Sequence, residues 1–545
     1  MNAIRSTAWM AAAGAMLVAA SATAQTISMV SSPHDLSAGS AAKVRSSSED
    51  QVCIFCHTPH NASPIAPLWN RAMSPQAYLV YTSRSLDAKP GQPTGDSKLC
   101  LSCHDGTIAL GSVLSRPIPI SMAGGVTTMP HGSGNLGTDL RDDHPISFRF
   151  DSTLATKDGK LRDPSGLPSQ VQLDINRELQ CTTCHDAHNN AFGKFLVMRN
   201  TNSELCVACH VVGQTDIQGH SQCVDCHQNH TAPSGALLLK KPNITKTCTS
   251  CHDGSHPKAI DIASDMTKVS AHDTSSVPNP DGGFQSNSSC TSCHDPHTMT
   301  RGTAASRQAA PGPSVASLGR LGRIGGVNAS GAPVSVISAE QEVCYKCHGD
   351  GNIAMPRVAR RLSNTNVRLQ FSPSAVSMHP VGVSGRGTDV PSLRPGWTTS
   401  SLMRCSDCHG SESGSAGIHG STYPGLLVAA YETRDYTNES AATYALCYKC
   451  HDRASILENR SFPGHKLHIV DKQTPCAACH DAHGIAAGQG RLANNAHLIN
   501  FATSMVLPDR VTGKLEYRDN GGFTGECFLS CHGVDHSPKR YPTTP

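Results

Sequence analysis

The chain has 545 residues, of which 38% are hydrophobic and 4% aromatic, too low an apolar share for several ordinary domains to offset their conformational entropy by side-chain burial. Its 47 Gly and 34 Pro favour turns and irregular backbone over long helices or strands, so something other than side chains must fill the interior. A formal net charge of +3, with both signs interspersed, speaks against a nucleic-acid or acidic-membrane partner.

In chain order, residues 1–24 read as a signal peptide: Arg5 is a positive start, Ala8 to Ala20 an apolar run, and Ala22-Thr23-Ala24 a small-residue cleavage site. The run is too short to span a bilayer, and no later segment reaches that length. The first cysteine is Cys53, so no lipid-anchored cysteine is expected at the mature N-terminus. The expectation is a soluble, exported protein, periplasmic or extracellular.

From there one phrase recurs. Eleven times the chain reads Cys-x-x-Cys-His. The thiol pairs, each with its adjacent histidine, are Cys53 and Cys56 with His57, Cys100 and Cys103 with His104, Cys181 and Cys184 with His185, and Cys206 and Cys209 with His210. Next come Cys223 and Cys226 with His227, Cys248 and Cys251 with His252, Cys290 and Cys293 with His294, and Cys344 and Cys347 with His348. Cys405 and Cys408 with His409, Cys447 and Cys450 with His451, and Cys476 and Cys479 with His480 complete the eleven. A twelfth, Cys527 and Cys531 with His532, has one extra residue between the thiols. Twelve motifs use all 24 cysteines.

Two thiols that bond the two vinyl groups of haem, followed by a histidine held under the iron, account for this phrase. A disulfide scaffold does not require a histidine after every second cysteine. Zinc sites rarely repeat with that trailing histidine, and a thioredoxin-like motif occurs once, in an α/β setting absent here. The expected cofactor is covalent haem c, with twelve attachment motifs per chain.

Seventeen histidines remain. His60, His188, His230, His297 and His483 stand three residues beyond a proximal histidine; each lies on the same face of its own haem and should ligate a neighbouring one. Consecutive motifs group into six units, each opened by an upstream histidine: His34, His144, His220, His272, His379 and His468. In the fifth unit His419 is the nearest second histidine, ten residues past His409. These candidate distal ligands make every iron bis-His by counting, and leave His131, His256, His465, His497 and His536 spare, with His465 an alternative to His468. Bis-His iron has no open position, which favours electron transfer over catalysis. A multihaem reductase of a small acceptor, acting at the Cys527 haem or in the fifth unit, is the alternative.

The expected fold class is irregular backbone with short helices wrapped around a chain of haems, with little β-structure and a haem-filled core. Residues 25–215 form a tetrahaem module, 216–300 a trihaem segment, 301–338 a Gly/Ala/Ser-rich linker, and 339–545 a pentahaem module. Asp105, Asp186, Asp253, Asp295, Asp452 and Asp481, after their motifs, either orient the proximal imidazole or cap a turn. Trp69 packs on a haem or a loop.

With Ser32-Pro33-His34-Asp35, Cys53 to Ala62, Ala66-Pro67-Leu68-Trp69-Asn70-Arg71, Cys100 to Thr107 and Asp143-His144-Pro145, the segment from Ser31 to about Val212 resembles the tetrahaem extracellular cytochrome filament proteins of metal-respiring microbes. That resemblance implies bis-His haems stacked in a continuous chain, with one subunit donating an axial histidine to the next. The remainder resembles the broader doubled Cys-x-x-Cys-His cytochromes. Partners implied are redox proteins or an extracellular acceptor, and a further copy of the chain if filaments form.

Overall fold

The computed structural model describes residues 29–541 apart from 65, 67, 133, 213–216, 218, 273–288, 301–317, 352–356 and 414–416. The expected signal peptide and the first part of the expected linker lie outside the described residues. The backbone is mostly irregular, with short helices and little strand, as the composition predicts.

Five helices are short because they begin and end on the repeated phrase. Cys181–Cys184, Cys223–Cys226, Cys290–Cys293, Cys405–Cys408 and Cys476–Cys479 are single turns, far below the length at which a helix is stable alone. The third helical residue caps three of them, Thr183 accepting from the Gln180 backbone N–H, Ser292 from that of Ser289 and Asp407 from that of Arg404. The following histidine ends each one with extended backbone, at φ −99 to −125° and ψ 134 to 149°. The two thiols therefore share one face of the turn, and the imidazole swings out of it.

Strand pairs of two residues join distant parts of the chain. Ser270–Ala271 pairs antiparallel with Gly420–Ser421, and Ser377–Met378 with Gly484–Ile485. Both crossings need glycine: a Cβ at Gly420 would stand 1.7 Å from the Asp265 carbonyl oxygen, and one at Gly484 2.5 Å from that of Ser377. Further ties cross the expected module boundaries. Lys268 bridges Asp265 and Glu412, and Tyr81 donates from its hydroxyl to the Ala236 carbonyl. The later part of the expected linker is folded, with Gly326–Val327 paired to Pro333–Val334.

Side-chain cores are small and scattered. Most hold three or four buried residues, such as Phe55, Val113 and Ile120. The largest, with Phe501, Val506, Tyr517 and Leu529, lies under the one extended sheet among the described residues: Glu516–Gly521, Thr524–Cys531 and Val534–Tyr541, antiparallel in chain order. This sheet goes beyond the little β-structure expected from composition. Its signals are the two-residue turns Gly522-Phe523 and His532-Gly533, in which all four residues have φ between 49 and 77°, as primed hairpin turns require.

Candidate haem-iron centres

A common frame surrounds the first histidine of five units. After the helical turn the chain loops out, returns, and forms one antiparallel bridge with that histidine: His57 with Trp69, His185 with Leu196, His227 with Leu239, His409 with Leu427, His480 with Ile499. The residue just before each bridge partner (Leu68, Phe195, Leu238, Leu426, Leu498) has φ between 50 and 62°. Left-handed backbone costs such bulky residues roughly 1–2 kcal/mol, and its recurrence at one position marks a functional constraint. The kink turns a nearby carbonyl toward the imidazole. Lys194 O lies 2.9 Å from His185 Nδ1, Leu238 O 3.2 Å from His227 Nδ1, Gly425 O 2.9 Å from His409 Nδ1 and His497 O 2.8 Å from His480 Nδ1. A carbonyl accepts only from Nδ1–H, so the tautomer is fixed and Nε2 keeps a lone pair for a metal.

Each such imidazole faces another. The ring centroids of His57 and His188, His104 and His34, His185 and His230, and His210 and His144 are 6.0–6.2 Å apart. Those of His227 and His297, His252 and His220, His294 and His419, and His348 and His272 are 6.0–6.4 Å apart. His409 and His483, His451 and His379, and His480 and His465 stand 6.1–6.4 Å apart. This is too far for stacking and right for one metal: nitrogen–metal bonds of about 2.0 Å on each side place imidazole centroids about 6.3 Å apart. The free thiols beside each pair and the carbonyl-held Nδ1 atoms fit a covalently attached haem with two axial histidines. A zinc reading is not favoured, because no group of three or more His, Cys, Asp or Glu converges among the described residues.

The pairings follow a rule. The upstream histidine of each unit faces the second proximal histidine of its own unit, as His34 faces His104 and His379 faces His451. The trailing histidine faces the first proximal histidine of the preceding unit: His188 faces His57, His230 faces His185, His297 faces His227, His419 faces His294 and His483 faces His409. The short strand pairs deliver these caps. His272 and His419 flank the Ser270–Ser421 ladder, with His272 Nδ1 2.9 Å from Ile418 O, and His379 Nδ1 is 2.6 Å from Ala482 O beside the Ser377–Ile485 ladder.

The rule breaks at both ends. His60, counted among the distal candidates, has no preceding unit; it is exposed, and no imidazole faces it among the described residues. In the sixth unit His465, counted as spare, stands opposite His480. The missed signal is a doubled upstream histidine, His465-x-x-His468, found only in the last unit. There the chain makes a π-helical turn over Leu467–Asp471, a device common at functional sites. His468 faces His536 at 6.4 Å, while the expected proximal His532 is bonded through Nε2 to Asp435 at 2.9 Å.

The aspartates following the motifs cap turns. Asp186 and Asp295 accept from the backbone N–H of His188 and His297, Asp253 from that of Ser255, Asp105 from that of Thr107, and Asp452 from that of Ser455. Asp481 accepts from the backbone N–H of His483 and from the Asn500 amide. Backbone carbonyls instead hold Nδ1 of seven proximal histidines, as Gly134 O does for His104 and Ile260 O for His252, and the Ser392 hydroxyl holds that of His451. Trp69 meets the His57 ring edge-on at 5.8 Å.

At several of these sites burial favours the neutral imidazole, the form a metal ligand needs. Desolvation, then the facing imidazole, pushes His34, His144, His451 and His483 down to about 4 and His465 to about 3. Burial pushes the Cys56, Cys184, Cys408 and Cys479 thiols up to about 12, the opposite of a reactive redox cysteine.

Residues 175–214 and 217–256 match the doubled CXXCH motif family, and residues 331–490 match the outer membrane cytochrome MtrC/MtrF-like family, domains II/IV. The chain is a multihaem c-type cytochrome. No curated protein matches it. Neighbouring motifs of the cytochrome meet through their thiols in strict alternation. The first cysteines touch between motifs two and three (Cys100, Cys181), four and five (Cys206, Cys223), six and seven (Cys248, Cys290), eight and nine (Cys344, Cys405), and ten and eleven (Cys447, Cys476). The second cysteines approach one another within each unit, as Cys56 and Cys103, Cys184 and Cys209, Cys226 and Cys251, Cys408 and Cys450, and Cys479 and Cys531 do. No described helix is long and apolar enough to cross a membrane.

Proposed function

We propose that the cytochrome is an exported electron conduit that holds twelve haems in chain order, each between two histidines, and passes electrons along them to an extracellular or periplasmic acceptor. The observation that carries this reading is the repeated imidazole pair at 6.0–6.4 Å, built by one rule from unit to unit. A bound haem would supply one-electron exchange; facing pairs such as His34 with His104 and His379 with His451 would hold its iron and leave substrate no place at the metal. The alternation of thiol contacts between motifs adjacent in sequence supports an unbroken line. The likeness to outer membrane cytochromes and the signal-like residues 1–24 support export.

The two ends bear on assembly. An inter-subunit histidine needs an iron short of a ligand, and His465 already stands opposite His480. We therefore read the cytochrome as a self-contained wire, with His60 left outside the ladder. Reductive titration of the purified protein with carbon monoxide present tests the reading. Uptake of twelve electrons per chain with no carbon monoxide adduct is expected. A stoichiometric adduct would reveal an open iron and move the protein to the reductase class.

A further inference from the structure

Asn70 and Arg71, both fully buried, tie the first two motifs together where their second thiols approach. The Asn70 backbone N–H donates to Cys56 O at 2.9 Å and its side-chain amide to Ile54 O at 2.6 Å, both in the first motif. Arg71 turns to the second motif. Its two terminal nitrogens donate to the carbonyls of Leu110 at 2.8 Å, Ser102 at 3.2 Å and Ala109 at 3.0 Å. Ser102 immediately precedes Cys103, so the guanidinium sits at the thiol edge, and its charge acts on Cys103 and Cys56 alike.

Carbonyls are the only partners of Arg71 among the described residues, and its Nε is buried with no hydrogen-bond partner. Buried charges are normally paired, and an arginine cannot shed its proton to escape the cost. Asp105, 4% exposed, is a second buried charge beside Cys103, but the Tyr78 hydroxyl at 2.7 Å and the Thr107 backbone N–H at 2.8 Å occupy its oxygens. Its influence on Cys103 is weaker than that of Arg71. The eleventh motif shows the compensated arrangement. Arg360 donates to Ala477 O at 2.6 Å and Asn500 O at 2.8 Å, and its Nε stands 3.9 Å from the Asp481 carboxylate.

A buried, permanent and unpaired cation bears on a redox centre in one direction. Ferrous iron carries one positive charge less than ferric, so a fixed cation nearby favours the reduced state, the more so in low-dielectric surroundings. A haem bonded to these thiols through its vinyl groups carries its propionates on the opposite edge, away from the guanidinium.

We propose that Arg71 tunes the first two haems of the line, raising the reduction potential of both through one buried charge at their shared thiol edge. The proposal rests on the reading of the first unit as two haem centres. Redox titration of the haem-loaded, full-length protein, with haem content checked by intact mass, tests it on three variants. Arg71→Gln keeps donors but removes the charge; two haems of the twelve should fall in potential, their ferrous-to-ferric ratio dropping about tenfold, ~59 mV for a one-electron couple. Arg71→Lys keeps the charge and should restore most of that loss. Asp105→Asn removes the opposing charge and should move the same two haems upward. Unchanged potentials in Arg71→Gln overturn the proposal, as does an Arg71→Lys protein that falls as far. Should Arg71→Gln lose haem, Asp105→Asn decides, and the absence of an upward shift there overturns the proposal. High-spin haem in the unmutated protein would instead refute the bis-His reading, so the two failures are separable.

Discussion

The C-terminal sheet and the eleven-motif body solve one problem differently. Over residues 496–541 the chain makes longer strands and buries Phe501, Val506, Tyr517 and Leu529 in one cluster. Over residues 53–490 it makes single helical turns, two-residue ladders and clusters of three or four side chains, and its recurrent interior feature is a pair of facing imidazoles. Where the cofactor forms the core, the peptide is freed from secondary-structure periodicity and spends its constraints on ligand placement. Where side chains form the core, ordinary strand rules return, and there the attachment motif loses its helical form.

Blocking haem attachment should break this comparison most visibly. Without haem the body has too little apolar burial to fold, and hydrogen exchange should show protection lost over residues 53–490 while the sheet exchanges last. Uniform loss would mean that the sheet, too, depends on haem. A Phe501→Ala change (4% exposed) should cost about 3–5 kcal/mol and expose the sheet to proteolysis, with the spectra of the first ten haems unchanged. His465→Ala should open one iron in twelve to carbon monoxide, whereas His60→Ala should open none; the reverse result would move the end of the ladder to a second molecule. The smallest effect belongs to Leu68, 54% exposed at φ 61°. Leu68→Gly should raise stability by about 1 kcal/mol by relieving left-handed strain, measurable as a small rise in thermal midpoint.

Much of the site is legible from spacing because attachment chemistry is local: two thiols and a histidine must share one turn, so Cys181 to His185 reads directly as a unit. A trailing histidine three residues on cannot reach the far face of its own haem, which is why His188 and His230 read as caps for neighbours. Which neighbour depends on how far the loop carries it, and only the fold shows that each reaches back to the preceding unit. The ends are illegible for the same reason. His60 has the same local surroundings as His188 and differs only in lacking a predecessor, while His465 and His536 carry no phrase of their own. The hairpin is hidden because Cys531-His532-Gly533 serves two grammars, an attachment phrase and a primed turn, and only the glycine marks the turn. The aspartates were ambiguous in sequence because carbonyl partners such as Gly425 O and Lys194 O have no sequence signature at all.

Anomalous diffraction at the iron edge, from crystals of the haem-loaded protein, tests the central claim most directly. The account predicts twelve iron peaks in chain order, each midway between its two imidazoles, with the eleventh between His480 and His465. An iron with a single histidine, or a His60 seated on the iron of a neighbouring molecule, would contradict it.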